Sequence, residues 1–296
     1  MTLELRQLHP LFAAEASGVD LSEPVHPAMV DAMWRAIDRY AVVVFRGQHL
    51  DDTRLRDFAA GFGPLEIGRA AAEARRRRLK HPEIGDISNL DEDGKLRAAD
   101  DRRRLDMLGN RLWHTDASYM PVPVVLGMLH AVKVPPSSAF GGGETEFADM
   151  RAAYDALPEP MKKAIDGLVA VHDITWSRGQ IGFTEFAPGE REKYPPSRQR
   201  LVRRHPGSER TTVYLSAHAS HIEGWPIGDG RILLYDLNLF ATRPEFVYSH
   251  QWRVGDLVIW DNRSTMHRGR PHDDRFPRDL RRATTLETGS TLDEAA

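Results

Sequence analysis

Apolar positions along the chain follow two different periods. Over residues 24–41, Met29, Met33, Trp34 and Ile37 recur at the three- and four-residue steps that place side chains on one face of a helix. The run Ala41-Val42-Val43-Val44-Phe45 follows and closes at Arg46-Gly47, the pattern of a buried strand. A second amphipathic helix is predicted from Asp52 to Phe62, carried by Leu55, Phe58, Ala59 and Phe62 and ended by Gly63-Pro64. From Asp86-Ile87-Ser88 onward the pattern shortens to strand-like pieces at 124–134, 144–148, 201–205, 211–217, 246–252, 256–260 and 280–286, with helical stretches at 149–170 and 226–242. Residues 66–80 are rich in Ala and Arg without an apolar face and read as a mobile surface segment. No repeat or linker divides the chain. The expectation is one domain over 1–296, mainly β with flanking helices (α+β): helix–strand units over 1–65, then a jelly-roll core, a double-stranded β-helix, over 84–286 with helical insertions.

Composition narrows the chemistry. Lys+Arg (40) and Asp+Glu (43) nearly cancel to a net charge of -3, so the overall field does not draw the chain to nucleic acid or to an anionic membrane. A small soluble substrate fits better. The chain has no cysteine, which removes disulfides, iron–sulfur clusters and thiolate-held metals, so any metal must be held by histidine and carboxylate. No run approaches the length of an apolar membrane span, and the first residues lack the basic-then-apolar order of a signal peptide. A cytoplasmic location is expected; whether copies of the chain associate as a homo-oligomer is left open.

Residues two apart on a strand project to one face, so His114 and Asp116 in Trp113-His114-Thr115-Asp116 can both reach one ion. Two imidazoles and a carboxylate on one side of an octahedral iron leave three positions for a chelating co-substrate and dioxygen. The spacing alone is weak evidence: 13 histidines and 25 aspartates give about one His-x-Asp by chance, and the chain has three. His49-Leu50-Asp51 and His272-Asp273-Asp274 lie in charged, turn-like stretches and read as solvated surface. His114 leads into an apolar segment, yet by itself reads equally as a core histidine. A distal partner is supplied by Thr265-Met266-His267-Arg268-Gly269, just beyond the strand-like Leu257-Val258-Ile259-Trp260; His250 and His218 compete for that place.

Eleven residues after His267 lies Arg278, and Arg282 follows four later; on one strand both face the same side, with Arg281 opposite. Their Cα atoms would be roughly 13 Å apart, enough to serve two different carboxylates. Arginine suits that task because its planar fork grips a carboxylate through two parallel hydrogen bonds. The bland alternative is a solvated basic edge.

Taken together, WHTDASYMP, GGGETEFADMRAAYDALP, SRGQIGFTEF, GDLVIWDNRSTMHRGR and PRDLRRATTL resemble the taurine dioxygenase and 2,4-dichlorophenoxyacetate dioxygenase (TauD/TfdA) family, over nearly the whole chain and most closely its aryloxyacetate branch. The resemblance implies an oxidoreductase that uses Fe(II), 2-oxoglutarate and O2. It implies His114, Asp116 and His267 as iron ligands, Thr145 and Arg278 on the distal carboxylate of 2-oxoglutarate, and Arg282 and His218 as candidates for the substrate; Trp260, in the strand before His267, reads as a cavity wall, and core packing explains it equally well. An aryloxyacetate would be cleaved to a phenol and glyoxylate, with release of succinate and CO2. Taurine, an alkylsulfonate or an alkyl sulfate are alternatives within the family, and a non-catalytic jelly-roll binding protein is the alternative outside it. Two stretches depart from the family pattern: Ser137 to Gly143, longer than the usual loop, and 66–80, a candidate lid by the resemblance, where Arg69, Arg75, Arg76, Arg77, Arg78 and Lys80 are equivalent candidates for a substrate contact.

Overall fold

The computed structural model describes residues 2–68, 77–186 and 189–293. Its largest layer is a seven-stranded sheet in the order β1-β2-β3-β13-β5-β15-β4. The ranges are β1 Glu4–Gln7, β2 Ala14–Ser17, β3 Val42–Phe45, β4 Gly85–Ser88, β5 Val124–Lys133, β13 Leu257–Asp261 and β15 Asp279–Leu286. Opposite it lies a smaller layer built on β12 (Val247–His250), β6 (Thr145–Asp149) and β14 (Thr265–Gly269), in that order. It is flanked by β11 (Ala219–Ile222), β7 (Val169–His172) and β8 (Ser197–Arg200), and by the pair β9 (Val202–Arg204) and β10 (Thr211–Val213). Two facing layers of mostly antiparallel strands, with helices outside, are the expected jelly-roll architecture.

The central strands of the large sheet are apolar throughout because both faces are covered. Val43, Phe45, Leu126, Met128, Leu257, Ile259 and Ala283 point to one side, where Met33, Ile37, Leu55 and Phe58 of two N-terminal helices pack. Val42, Val44, Leu129, Val258, Trp260 and Leu280 point to the other and meet Phe147 from the smaller layer. Strand alternation alone thus sends Trp260 inward and Ile259 outward. Each helix has a visible local cause. Pro27–Tyr40 begins with proline in its first turn and with His26 accepting from Ala28 N–H; Asp52–Ala60 is capped by the Asp51 carboxylate on Arg54 N–H. Asp51, part of one of the three His-x-Asp matches, therefore does a capping job, and His49 is exposed.

Three expectations are corrected. The helical stretch 149–170 is two short helices, Met150–Ala156 and Glu159–Ile165, followed by β7, because Pro158 holds Leu157 in an extended conformation. The second N-terminal helix ends at Ala60 rather than Phe62. Unpredicted helices cover Arg102–Met107 and Ile174–Gly179. Of the candidate lid, residues 69–76, with Arg69, Arg75 and Arg76, lie outside the described residues; Arg78 reaches Asp86 and Asp279, both at 2.7 Å. Among the described residues no helix is long and apolar enough to cross a membrane.

Gly127 of β5 stands directly opposite Trp260 of β13, and the indole occupies the space that a side chain at Gly127 would need. Gly127→Ala is therefore expected to destabilise the fold by about 1–3 kcal/mol, the usual cost of an overpacked core. The urea unfolding midpoint checks it; an unchanged midpoint would mean that the indole has room to move.

Candidate active site

β14 pairs with β6 on one edge, and on its other edge the segment around His114 adds a single bridge. His114 N–H donates to His267 C=O at 3.0 Å and His267 N–H to His114 C=O at 2.8 Å. In such a hydrogen-bonded antiparallel pair the two side chains leave on the same face. The imidazole centroids lie 4.2 Å apart, although 153 positions separate the residues in sequence. His267 also packs on Trp260 (4.7 Å) and Phe147 (6.0 Å), which fix its ring from behind.

Asp116 completes the cluster. Its carboxylate lies 3.5 Å from His114 Nε2 and 3.9 Å from His267 Nε2. One potential ligand atom from each of the three residues lies within 4.8 Å of the other two. The backbone turns sharply after Asp116, with Ala117 at φ 51°, and Asn262 clamps that turn: its Oδ1 accepts from Asp116 N–H at 2.9 Å, while its Nδ2 donates to Asp116 C=O at 3.0 Å. Thr115 points away and donates to Leu215 C=O at 2.7 Å.

Hydrogen bonding sets the chemistry of the donors. His114 Nδ1 faces Leu112 C=O at 2.8 Å, and a carbonyl only accepts, so the proton sits on Nδ1 and the Nε2 lone pair faces Asp116. Burial, above all, pushes His267 down to about 3, so this imidazole is neutral at pH 7. Burial would raise the Asp116 carboxyl, but Arg282 at 3.2 Å, His267 and His114 together outweigh it and hold the group well below the usual carboxylate range. One carboxylate oxygen, Asp116 Oδ2, is buried without any hydrogen-bond partner. Two imidazoles converging on an ionised carboxylate with an orphaned oxygen form a donor set suited to a divalent cation.

A second cluster, Asp38, His205 and Asp261, does not share that property. His205 Nδ1 accepts from Ser208 N–H at 2.9 Å, so Nε2 carries the proton and donates to Asp261 at 2.8 Å. No lone pair of His205 remains for a metal. The competitors for the distal position are elsewhere: His250 is buried on Asp256 at 3.1 Å, and His218 stands 6.4 Å, ring to ring, from His114.

One side of the triad opens into a cavity lined by Thr145, Trp260, Arg278 and Arg282. Trp252 Nε1–H donates to Thr145 Oγ1 at 3.0 Å, which leaves the Thr145 hydroxyl proton for a ligand. Arg278 has its own N–H on Asn89 Oδ1 (2.9 Å) and one guanidinium N–H on Gly143 C=O (3.1 Å). No carboxylate of the described residues lies within ion-pair distance of it, and burial is the main cause that lowers it to about 10, still cationic at pH 7. The Ser137 to Gly143 loop thus brings backbone against this arginine, and Gly143, at φ 72°, has no side chain to collide with it. His272 is corrected here: it is not solvated surface but lines the same cavity, and burial foremost lowers it to about 4. A second cavity meets His114 and Asp116 and is lined also by Arg103, Tyr119, Arg178, His218 and Arg282. Asn89, Asn262 and the short helix Arg102–Met107 carry no periodic signal, and sequence reasoning missed them.

Residues 4–284 match the family described as Taurine catabolism dioxygenase TauD, TfdA family. The chain is 46% identical over 286 residues to the alpha-ketoglutarate-dependent 2,4-dichlorophenoxyacetate dioxygenase of Burkholderia sp. (strain RASC), covering 97% of this chain and 95% of that protein. It is 36% identical over 282 residues to the (S)-phenoxypropionate/alpha-ketoglutarate-dioxygenase of Sphingobium herbicidovorans, covering 91% and 90%. Among solved structures, AAD-2 in complex with Mn(II) and N-oxalylglycine superposes with a TM-score of 0.94 at 46% identity, over 98% of this chain and 100% of that one.

Replacing the clamp tests how the site is held. Asn262→Ala strands the buried N–H and C=O of Asp116, and is expected to lower stability by about 1–3 kcal/mol. Chemical denaturation measures it; a midpoint within error of wild type would show that the turn stands without the amide.

Proposed function

The chain belongs to the taurine catabolism dioxygenase TauD, TfdA family and is a 2-oxoglutarate-dependent dioxygenase, and we propose that it cleaves an aryloxyacetate to a phenol and glyoxylate. The dioxygenase reading displaces the binding-protein alternative. In the proposal His114, Asp116 and His267 hold Fe(II), a role supported by their convergence and by the orphaned Asp116 oxygen. Once bound, the iron supplies the redox chemistry that couples use of dioxygen to decarboxylation of 2-oxoglutarate, releasing succinate and CO2.

The remaining work falls to the protein. Arg278 and the Thr145 hydroxyl take the distal carboxylate of 2-oxoglutarate, supported by an unpaired guanidinium beside a free hydroxyl donor. Trp260 walls that side and excludes water. Arg282 lines both cavities, donates one N–H to Asp116 at 3.2 Å and stands 3.8 Å from Glu66, and its remaining donors take a substrate carboxylate that enters from the second cavity. Gripping that carboxylate fixes the adjacent carbon, the one between ether oxygen and carboxylate, next to the triad. His218 and Tyr119 lie on the wall that an aryl ring would contact.

The observation that carries this reading is the His114, Asp116 and His267 cluster beside two cavities, with Arg278 lining the first and Arg282 lining both. Succinate release should be supported by aryloxyacetates at least about tenfold better than by taurine or an alkyl sulfate; the reverse order would move the substrate to a sulfonate or sulfate. Arg278→Ala should raise KM for 2-oxoglutarate by at least about tenfold, equal to about 1.4 kcal/mol, in steady-state assays. An unchanged KM would remove Arg278 from that role.

A further inference from the structure

His218 is buried at 4% exposure, and its hydrogen bonds decide which nitrogen it presents to the substrate cavity. Nδ1 lies 2.8 Å from Ser177 Oγ. Ser177, fully buried on the helix Ile174–Gly179, places its only hydroxyl proton on Ile174 C=O at 2.8 Å. With that proton committed, Ser177 Oγ can only accept, so the proton of His218 sits on Nδ1. Nε2 is then a bare lone pair and makes no hydrogen bond with any described residue. The ring packs edge-on against Tyr119 at 4.9 Å, and the His218 backbone carbonyl accepts from Asp173 N–H at 2.8 Å.

An ether oxygen is also only an acceptor, so an aryloxyacetate finds no donor on this imidazole. A substrate with N–H in place of the ether oxygen would supply the missing partner. We propose that the same site oxidatively dealkylates N-arylglycines, with their aryl N–H donating to His218 Nε2 and Ser177 acting as the positioning residue that locks the tautomer. The proposal rests on the aryloxyacetate reading for the placing of the carboxylate and ring.

The reaction balances with the co-substrates already in use. One atom of O2 enters succinate as 2-oxoglutarate loses CO2; the other replaces a hydrogen on the carbon between nitrogen and carboxylate, turning C–H into C–OH. The carbinolamine then breaks its C–N bond, its hydroxyl proton passes to nitrogen, and an arylamine and glyoxylate leave.

The test compares kcat/KM for N-(4-chlorophenyl)glycine and 4-chlorophenoxyacetate in the iron-loaded enzyme, read as arylamine and phenol. Wild type is expected to use the glycine at least as well as the ether. Ser177→Ala, which frees either tautomer, and His218→Phe, which keeps a ring without an acceptor, are each expected to lower the glycine-to-ether ratio at least about tenfold. A 15N imidazole spectrum of the wild-type protein, with His218 assigned by the His218→Phe difference, should show protonated Nδ1 and bare Nε2. A proton on Nε2, a wild-type ratio far below one, or a ratio unmoved by both variants would overturn the inference while leaving aryloxyacetate cleavage intact. Turnover of neither compound would overturn both readings together.

Discussion

The site depends on two backbone hydrogen bonds. The reciprocal N–H to C=O contacts between His114 and His267, at 3.0 and 2.8 Å, add one rung to the edge of β14 and seat two imidazoles side by side. Because the rung is made by the main chain, the pairing of the rings is set before any ligand arrives. Asp116 then follows from position, two residues beyond His114, and Asn262 fixes its turn from the end of β13. The strands that build the jelly roll thus also aim the functional groups, and the scaffold and the site are one arrangement.

Charge is distributed to match. Asp116 is kept ionised by Arg282, while burial keeps His267 neutral, so the cluster offers lone pairs instead of competing protons. Arg278, in contrast, is half-buried and has no carboxylate partner among the described residues. Burying a cation unpaired is costly, and such a group is stabilised by an anion that comes from outside the chain. Arg278, immediately before β15, and Arg282, on it, therefore differ in state: one is unpaired among the described residues, and the other is tied to the triad through Asp116.

Much of the fold was legible because strand alternation is a strong signal wherever both faces are buried. The apolar runs at Val42–Phe45, Val124–Lys133 and Leu257–Asp261 coincide with central strands of the large sheet. Parity also placed Arg282 and Arg281 on opposite faces, as observed: Arg282 reaches Asp116 and Arg281 reaches Asp52. What sequence could not convey was polar support. Asn262, Asn89 and Ser177 act through hydrogen bonds to backbone or ring atoms distant in sequence, and nothing in their neighbours marks them. The helix Arg102–Met107 was missed because RRRLDM has too few apolar positions to show a period. His272 was misread because its neighbours Asp273 and Asp274 look solvated, whereas Asp274 is paired to Arg104 at 2.6 Å and the histidine turns inward.

The central claim is that His114, Asp116 and His267 share one ferrous ion to which 2-oxoglutarate binds. Anaerobic addition of Fe(II) and then 2-oxoglutarate to the purified protein, followed by visible absorption, measures that directly. The account predicts a weak charge-transfer band in the wild-type protein that is lost in a folded His267→Ala variant. A band of equal strength in that variant, or none in folded wild type, would contradict it.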